Sequence, residues 1–285
     1  MSQTKNKEFD FTVADFERVR SLIYRQAGIS LASSKQEMVY SRVARRLRAL
    51  GFHSFEDYLD SLEGGKMNEE WESFVNALTT NLTSFFREDH HFPILKEFVK
   101  TRPGPVEVWC CASSTGEEPY SIAMTLCEAF NTLTPKAKVV ATDIDTNVLA
   151  VAERGVYSTE KLEKMPPERV RRFFQKGTGN NEGMARVRKE LRDMITYRQL
   201  NLLDETWPLR GGFDVIFCRN VMIYFDKPTQ GKILSKFVNL LKPDGLLFAG
   251  HSENFQYVSN AFKLRGKTVY HLANPAMGSV STNRS

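Results

Sequence analysis

The sequence has no apolar run near the ~20 residues that a membrane helix needs, and its first seven residues lack the apolar segment of a signal peptide. Membrane insertion is therefore not expected, and a cytoplasmic location is. Cysteine is scarce. Cys110, Cys111, Cys127 and Cys218 form no C-x-x-C pair and fall in expected strands or a helix, so they read as reduced core thiols rather than a disulfide frame or a metal site. No metal is expected and no internal repeat is visible. Charge of neither sign dominates: the net charge is only +5. The excess is local, however. Between Arg18 and Arg48 stand eight basic residues (Arg18, Arg20, Arg25, Lys35, Arg42, Arg45, Arg46, Arg48) against one acid, Glu37. That stretch implies an acidic partner for the N-terminal part.

What is present is ordinary globular composition, 41% hydrophobic and 26% charged, with room for two domains. After a flexible start over residues 1–10, residues 11–80 read as all-helical. Thr12 with Asp15 forms a capping box ahead of Phe16, Val19, Leu22 and Ile23, and Gly28 is a stop. Ser34 with Glu37 opens a second, basic helix whose stripe is Val39, Val43, Leu47 and Leu50, ended by Gly51. Ser54 with Asp57 opens a third, and a fourth from about Asn68 buries Trp71, Phe74, Val75 and Leu78. Residues 81–105 read as a linker and a helix, His91 to Val99, expected to contribute to a functional site.

From Val106 strands and helices alternate, which indicates a mostly parallel sheet. The expected strands are Val106–Ala112, Lys138–Thr142, Met194–Leu200, Phe213–Cys218 and Leu246–Ala249, the last following a turn at Lys242–Gly245. A hairpin closes the domain near residue 273. A helix near Pro167–Phe174 and a small inserted β element over about residues 176–193 fill the long gap between the second and third strands. Residues 274–285 read as a flexible tail.

The segment Val106–Tyr120 is a strand, a tight turn and a helix start, where open α/β sheets bind ligands. Glu117 and Glu118 replace the bare N–H groups and lysine of a phosphate-binding turn. Two anions suit a cationic, hydroxyl-rich ligand such as S-adenosylmethionine (SAM), with Gly116 allowing close approach. Other strand ends converge on the same edge: Asp143, Asn201, Arg219 and Asn220. Asp143 can bind ribose hydroxyls or cap the next helix, a role Asp145 could fill instead. Asn201 and Asn220 can bond an adenine edge. Glu118 can meet an ammonium or merely complement the helix dipole. Tyr224 can be core or site, and Arg87 can be a surface ion pair or a cation aimed at a carboxylate.

Five segments together resemble the CheR-type chemotaxis receptor methyltransferases: Ala77–Glu88, Ser114–Ser121, Asp143–Asp145, Phe217–Phe225 and Leu241–Glu253. The resemblance spans about residues 10–273 and implies an all-α N-terminal domain before a Rossmann-like SAM-dependent methyltransferase sheet (α/β) with a small inserted antiparallel β-subdomain. It implies methyl esterification of glutamate side chains on the cytoplasmic helices of chemoreceptors, yielding S-adenosylhomocysteine, in sensory adaptation. By residue it implies SAM contacts at Asn81, Thr83, Arg87, Glu118, Asp143, Asn201, Leu202, Arg219 and Asn220. It sets Arg87 and Tyr224 near the reacting methyl, and Lys35, Arg42, Arg45, Arg46 and Arg48 against the receptor. The loop carrying Gly177, Gly179 and Gly183 looks like one that docks a receptor's C-terminal pentapeptide. His90, His91 and His251 are read as pocket walls, His53 and His271 as bland. Two other readings stand beside this one. A non-catalytic SAM-binding receptor adaptor is one. A nucleic-acid methyltransferase is the other, but Asn220 is followed by Val221-Met222 rather than the proline pair that holds a planar amine.

Overall fold

The computed structural model describes residues 7–79 and 81–278. Two compact units emerge. Among the described residues, one holds those up to Thr79 with Tyr224–Asp226, and the other holds those from Asn81 on, apart from that short segment. Residues 1–6 of the expected flexible start and 279–285 of the expected tail lie outside the described residues.

The first unit is four helices, α1 (Val13–Ala27), α2 (Gln36–Leu50), α3 (Phe55–Glu63) and α4 (Glu70–Leu78). Thr12 and Asp15 form the reciprocal capping box, and Gly28 and Gly51 end α1 and α2 in the left-handed conformation that glycine adopts without penalty. Phe16, Val19, Val43, Leu47, Phe55, Tyr58 and Phe74 fill the core. Four expectations change here. Ser34 does not cap α2, because Ser33–Lys35 wind into a 3-10 turn and the helix proper starts at Gln36 with no side-chain cap. Leu50 stands at the last turn of α2 and is 42% exposed. The fourth helix starts at Glu70 and leaves Trp71 half-buried, while Glu70 itself is buried. Phe9, in the stretch expected to be flexible, is also buried.

The second unit opens with α5 (His91–Lys100). It continues through β1 (Val106–Cys111), α6 (Glu117–Ala129), β2 (Ala137–Asp143), α7 (Thr146–Arg154), β3 (Val156–Ser158), α8 (Pro167–Phe173), β4 (Phe174–Lys176) and β5 (Met184–Val187). There follow α9 (Lys189–Asp193), β6 (Ile195–Gln199), β7 (Phe213–Cys218), α10 (Lys227–Leu240), β8 (Leu241–Ala249), β9 (Phe262–Gly266) and β10 (Val269–Leu272). The main sheet runs β6-β2-β1-β7-β8-β10-β9, parallel from β6 to β8, with the β9–β10 hairpin antiparallel at one edge. Strands β1 and β7 are buried on both faces, which is why they read as unbroken apolar runs rather than alternating ones. Chain order leaves β1 in opposite directions, to β2 and β6 on one side and β7 and β8 on the other, so a crevice opens beside the carboxyl end of β1.

A separate antiparallel sheet, β3-β5-β4, draws in Val156–Ser158 from well upstream of residue 176. The expected turn Lys242–Gly245 lies inside β8, as a register shift against β7 between Phe213 and Val215. Asn274 caps a 3-10 turn at Pro275–Met277, so the expected tail begins ordered. All four cysteines are buried and free. Among the described residues no helix is long and apolar enough to cross a membrane.

Candidate active site

The turn after β1 is built from left-handed residues: Ala112 (φ 50°), Ser114 (φ 48°) and Gly116 (φ 98°). Non-glycine residues rarely adopt this region, so their neighbours must hold them there. Ser113 N–H donates to the Thr142 carbonyl (2.9 Å) and Ser114 N–H to Asp143 Oδ2 (2.8 Å). The Ser113 and Ser114 hydroxyls are buried without a partner. Gly116 gives close approach, but to the protein's own side chains. A Cβ there would sit 2.7 Å from Tyr157 Oη and 2.8 Å from Ala152 Cβ.

Asp143 ends β2 and is buried. Burial pushes its carboxyl up, opposed by the N–H groups of Asp145 and Ser114. The capping task falls to Asp145, whose Oδ1 accepts from Asn147 N–H at 2.8 Å. Asn81 is exposed and donates to Asp145 Oδ2 at 3.4 Å, while Thr83 is half-buried. Past β6, Asn201 Oδ1 accepts from Leu203 N–H (3.0 Å), and Leu202 is buried.

The two glutamates of the turn part company. Glu117, fully buried, accepts from Thr115 Oγ1 and from Lys161 Nζ, both at 2.6 Å. Glu118 Oε2 meets Arg219 Nη1 at 2.8 Å, and the Cys110 thiol donates to Oε1 at 3.3 Å. Burial raises the Glu118 pKa while Arg219 pulls it back. Arg219 is wholly enclosed. Besides Glu118 it serves the Arg87 carbonyl and stands 3.3 Å from Glu88 Oε2. Its guanidinium thus organises other residues, with only Nε left unpartnered.

The connector 81–88 has no regular hydrogen bonding, and the two phenylalanines anchor it. Phe85 rests edge-on against Tyr157 (5.0 Å) and Phe174 (5.6 Å), and Phe86 against Phe92 (4.8 Å). Arg169 stacks on Phe86 at 4.1 Å while paired with Glu128. Arg87 Nη1 donates to the Leu82 carbonyl at 2.8 Å. Glu88 accepts from Asn220 Nδ2 (3.1 Å) and His251 Nδ1 (2.8 Å). Burial would raise its pKa, but those bonds and the Arg219 charge bring it down to about 2. His91 is buried, its Nε2 donating to the Lys267 carbonyl at 2.8 Å, and burial with Arg219 lowers its pKa to about 4.

Glu253 forms a second hub. Its carboxylate accepts from the backbone N–H groups of Asn220 (3.0 Å), Val221 (3.0 Å), Met222 (2.8 Å) and Gly250 (2.5 Å). It fixes Asn220 at φ 59°. Sequence reasoning did not single out Glu88 or Glu253, although both stand inside the quoted motifs, one next to Arg87 and one closing Leu241–Glu253.

Tyr224 belongs to the first unit, where its carbonyl accepts from Ser30 N–H at 2.7 Å. Of the five basic residues of α2 and its lead-in, Lys35, Arg45 and Arg48 are exposed. Arg42 donates to the carbonyls of Ala77 (3.3 Å) and Thr79 (2.5 Å), and Arg48 pairs with Glu8 at 2.8 Å. Arg46 grips the buried Glu70 through two bonds of 2.8 and 2.6 Å, and Tyr58 donates to the same carboxylate at 2.9 Å.

This donor set fits SAM. Asp143 ends β2 and Glu118 stands in the first turn of the helix after β1, with the orphaned hydroxyls of Ser113 and Ser114 in the turn between β1 and that helix, which suits a ligand offering an ammonium, a sulfonium and ribose hydroxyls. Among the described residues no three His, Cys, Asp or Glu side chains are grouped to hold a metal ion.

Residues 14–79 match the family described as CheR methyltransferase, all-alpha domain, and residues 81–271 match CheR methyltransferase, SAM binding domain. The chain is 58% identical over 259 residues to the chemotaxis protein methyltransferase of Klebsiella aerogenes, covering 91% of this chain and 89% of that protein. It is 54% identical over 260 residues to that of Escherichia coli K12, covering 91% of each. Against chemotaxis protein methyltransferase 2 of Pseudomonas aeruginosa identity is 54% over 268 residues, covering 93% of this chain and 95% of that one.

Proposed function

The chain belongs to the CheR methyltransferase family and is a SAM-dependent methyltransferase, and from that premise we propose that its acceptors are glutamate side chains on the cytoplasmic helices of chemoreceptors. The products are glutamate methyl esters and S-adenosylhomocysteine, and the esterification serves sensory adaptation in the cytoplasm. The observation that carries this reading is Arg219, which binds Glu118 of the cofactor turn and the carbonyl of Arg87 at once. One arginine thereby ties a cation suited to an acceptor carboxylate to a carboxylate suited to the SAM ammonium.

SAM, when bound, supplies an electrophilic methyl on its sulfonium. The protein's tasks are binding, orientation and exclusion of water. Glu118 takes the ammonium and Asp143 the ribose hydroxyls. Asn201, Leu202 and Asn220 flank the base, and Asn81 and Thr83 close the connector side. An acceptor glutamate is already ionised near pH 7, so no residue has to remove a proton. Arg87 holds that carboxylate through one oxygen, leaving the other to attack in line.

The exposed cations Lys35 and Arg45, with Arg42 and Arg48 beside them, give α2 a face for acidic receptor helices. The Gly177–Gly183 loop lies between β4 and β5. Strand β4 is an edge of its sheet, and an edge can accept an added peptide strand such as a receptor's C-terminal pentapeptide.

Peptide mass spectrometry of a receptor cytoplasmic fragment after incubation with the protein and SAM tests the reading. Glutamates gaining one methyl are expected. Methyl groups only on amines, or none, would overturn it.

A further inference from the structure

We propose that Glu88 is a positioning residue whose half-buried carboxylate fixes the Phe86–Glu88 turn to the ends of β7 and β8 and so sets the direction of Arg87. The inference rests on the reading of Arg87 as the group that holds the acceptor carboxylate.

Arg87 stands between two strained residues, Phe86 at φ 52° and Glu88 at φ 54°. Neither is glycine, so this backbone persists only if its surroundings over-determine it. Phe86 is held by its N–H to Ser121 Oγ (2.9 Å) and by its ring contacts. Glu88 is held through its side chain alone, apart from the His91 N–H to its carbonyl at 3.2 Å. Its partners come from two strand ends: Asn220 Nδ2 and Arg219 from the end of β7, and His251 Nδ1 from the end of β8. Of the other charged or titratable groups nearby, His91 Nδ1 lies 3.9 Å away without a hydrogen bond, and Glu118 stands across Arg219. Asn220 is in turn clamped by Glu253, so the anchor is itself fixed.

Oε1 accepts both hydrogen bonds, from Asn220 Nδ2 and His251 Nδ1, and Oε2 faces Arg219 as a charge contact at 3.3 Å without a hydrogen bond. An amide can keep the first two, but it sets N–H donors in place of the negative charge opposite Arg219. Glu88→Gln therefore keeps the shape and breaks the Arg219 side of the clamp. The turn can then relax toward ordinary backbone angles, carrying Arg87 with it. Misplacement of a positioned group is read in turnover more than in ligand affinity.

The experiment compares Glu88→Gln, Arg87→Ala and the double variant by methyl transfer to a receptor fragment. Each is also characterised by S-adenosylhomocysteine affinity from calorimetry and by thermal unfolding. Glu88→Gln should lower kcat roughly 10- to 100-fold, with S-adenosylhomocysteine affinity within about threefold of the parent. In the Arg87→Ala background it should cost nothing further. Parental turnover, an equal loss in the Arg87→Ala background, or a matching loss of S-adenosylhomocysteine affinity would each overturn the proposal. If Arg87→Ala itself turns over normally, the Arg87 reading fails instead, which is a separate result. Should Glu88→Gln not fold, the exposed His251→Ala removes one donor without touching the core. It should lower kcat a few-fold, again only when Arg87 is present, and parental turnover there would equally sink the idea.

Discussion

Arg219 and Glu118, 101 residues apart in sequence, meet at 2.8 Å with the arginine side chain fully enclosed. The same guanidinium neighbours Glu88, so it is a countercharge shared by two half-buried carboxylates. Arg219→Leu should cost about 3–5 kcal/mol in denaturant unfolding, since an unpaired buried charge is the expensive state. Glu118→Gln in that background should recover part of the loss, and no recovery would mean the two do not interact as described.

Arg87→Ala should abolish methyl transfer with only a modest effect on the fold. The side chain makes one bond, to the Leu82 carbonyl, and an exposed or half-exposed arginine contributes little stability on its own. Labelled methyl transfer and the thermal midpoint, measured on one preparation, check both halves.

His91 makes stability depend on acid. Its folded pKa, about 4, lies below the ordinary 6.5, so the unfolded chain takes up the proton first. Stability is therefore full above about 6.5 and is lost as pH falls toward 4. Glu88, lowered from 4.5 to about 2, extends the loss below 4.5. His91→Gln should flatten the 6.5-to-4 limb of midpoint against pH and leave the lower limb in place.

Gly116→Ala should destabilise by about 1–3 kcal/mol, through its positive φ and the collision with Tyr157 and Ala152. Adding Tyr157→Phe should relieve part of this, because the Ala152 Cβ contact at 2.8 Å stays.

Much of this architecture can be read locally. Apolar runs announce β1 and β7, and the chemistry at Thr12, Ser54 and Asp145 announces helix starts, because a cap bonds its own neighbours. The division of labour between Asp143 and Asp145 follows from the same local rule. Strands β3 and β4 have three residues each, too few to show a period. The hubs at Glu88 and Glu253 are illegible for another reason. Their partners lie up to 163 residues away, and a charge read in isolation looks like solvated surface. Arg46 shows the same limit. It reads as one more cation of a basic face, yet it spends its guanidinium on Glu70, 24 residues on.

That contrast within α2 separates binding from stability. Arg45→Glu with Lys35→Glu should weaken receptor-fragment methylation at unchanged thermal midpoint. Arg46→Ala should instead cost about 3–5 kcal/mol of stability by stranding a buried carboxylate. Parallel kinetics and unfolding of the two variants would show whether the roles are divided this way.

The most direct test of carboxylate methylation is the chemistry of the bond formed. With methyl-labelled SAM and a receptor cytoplasmic fragment, treating the labelled product with alkali should release the label as volatile methanol, as an ester does. Label that stays on the protein through alkali would mean transfer to nitrogen, and would contradict the account.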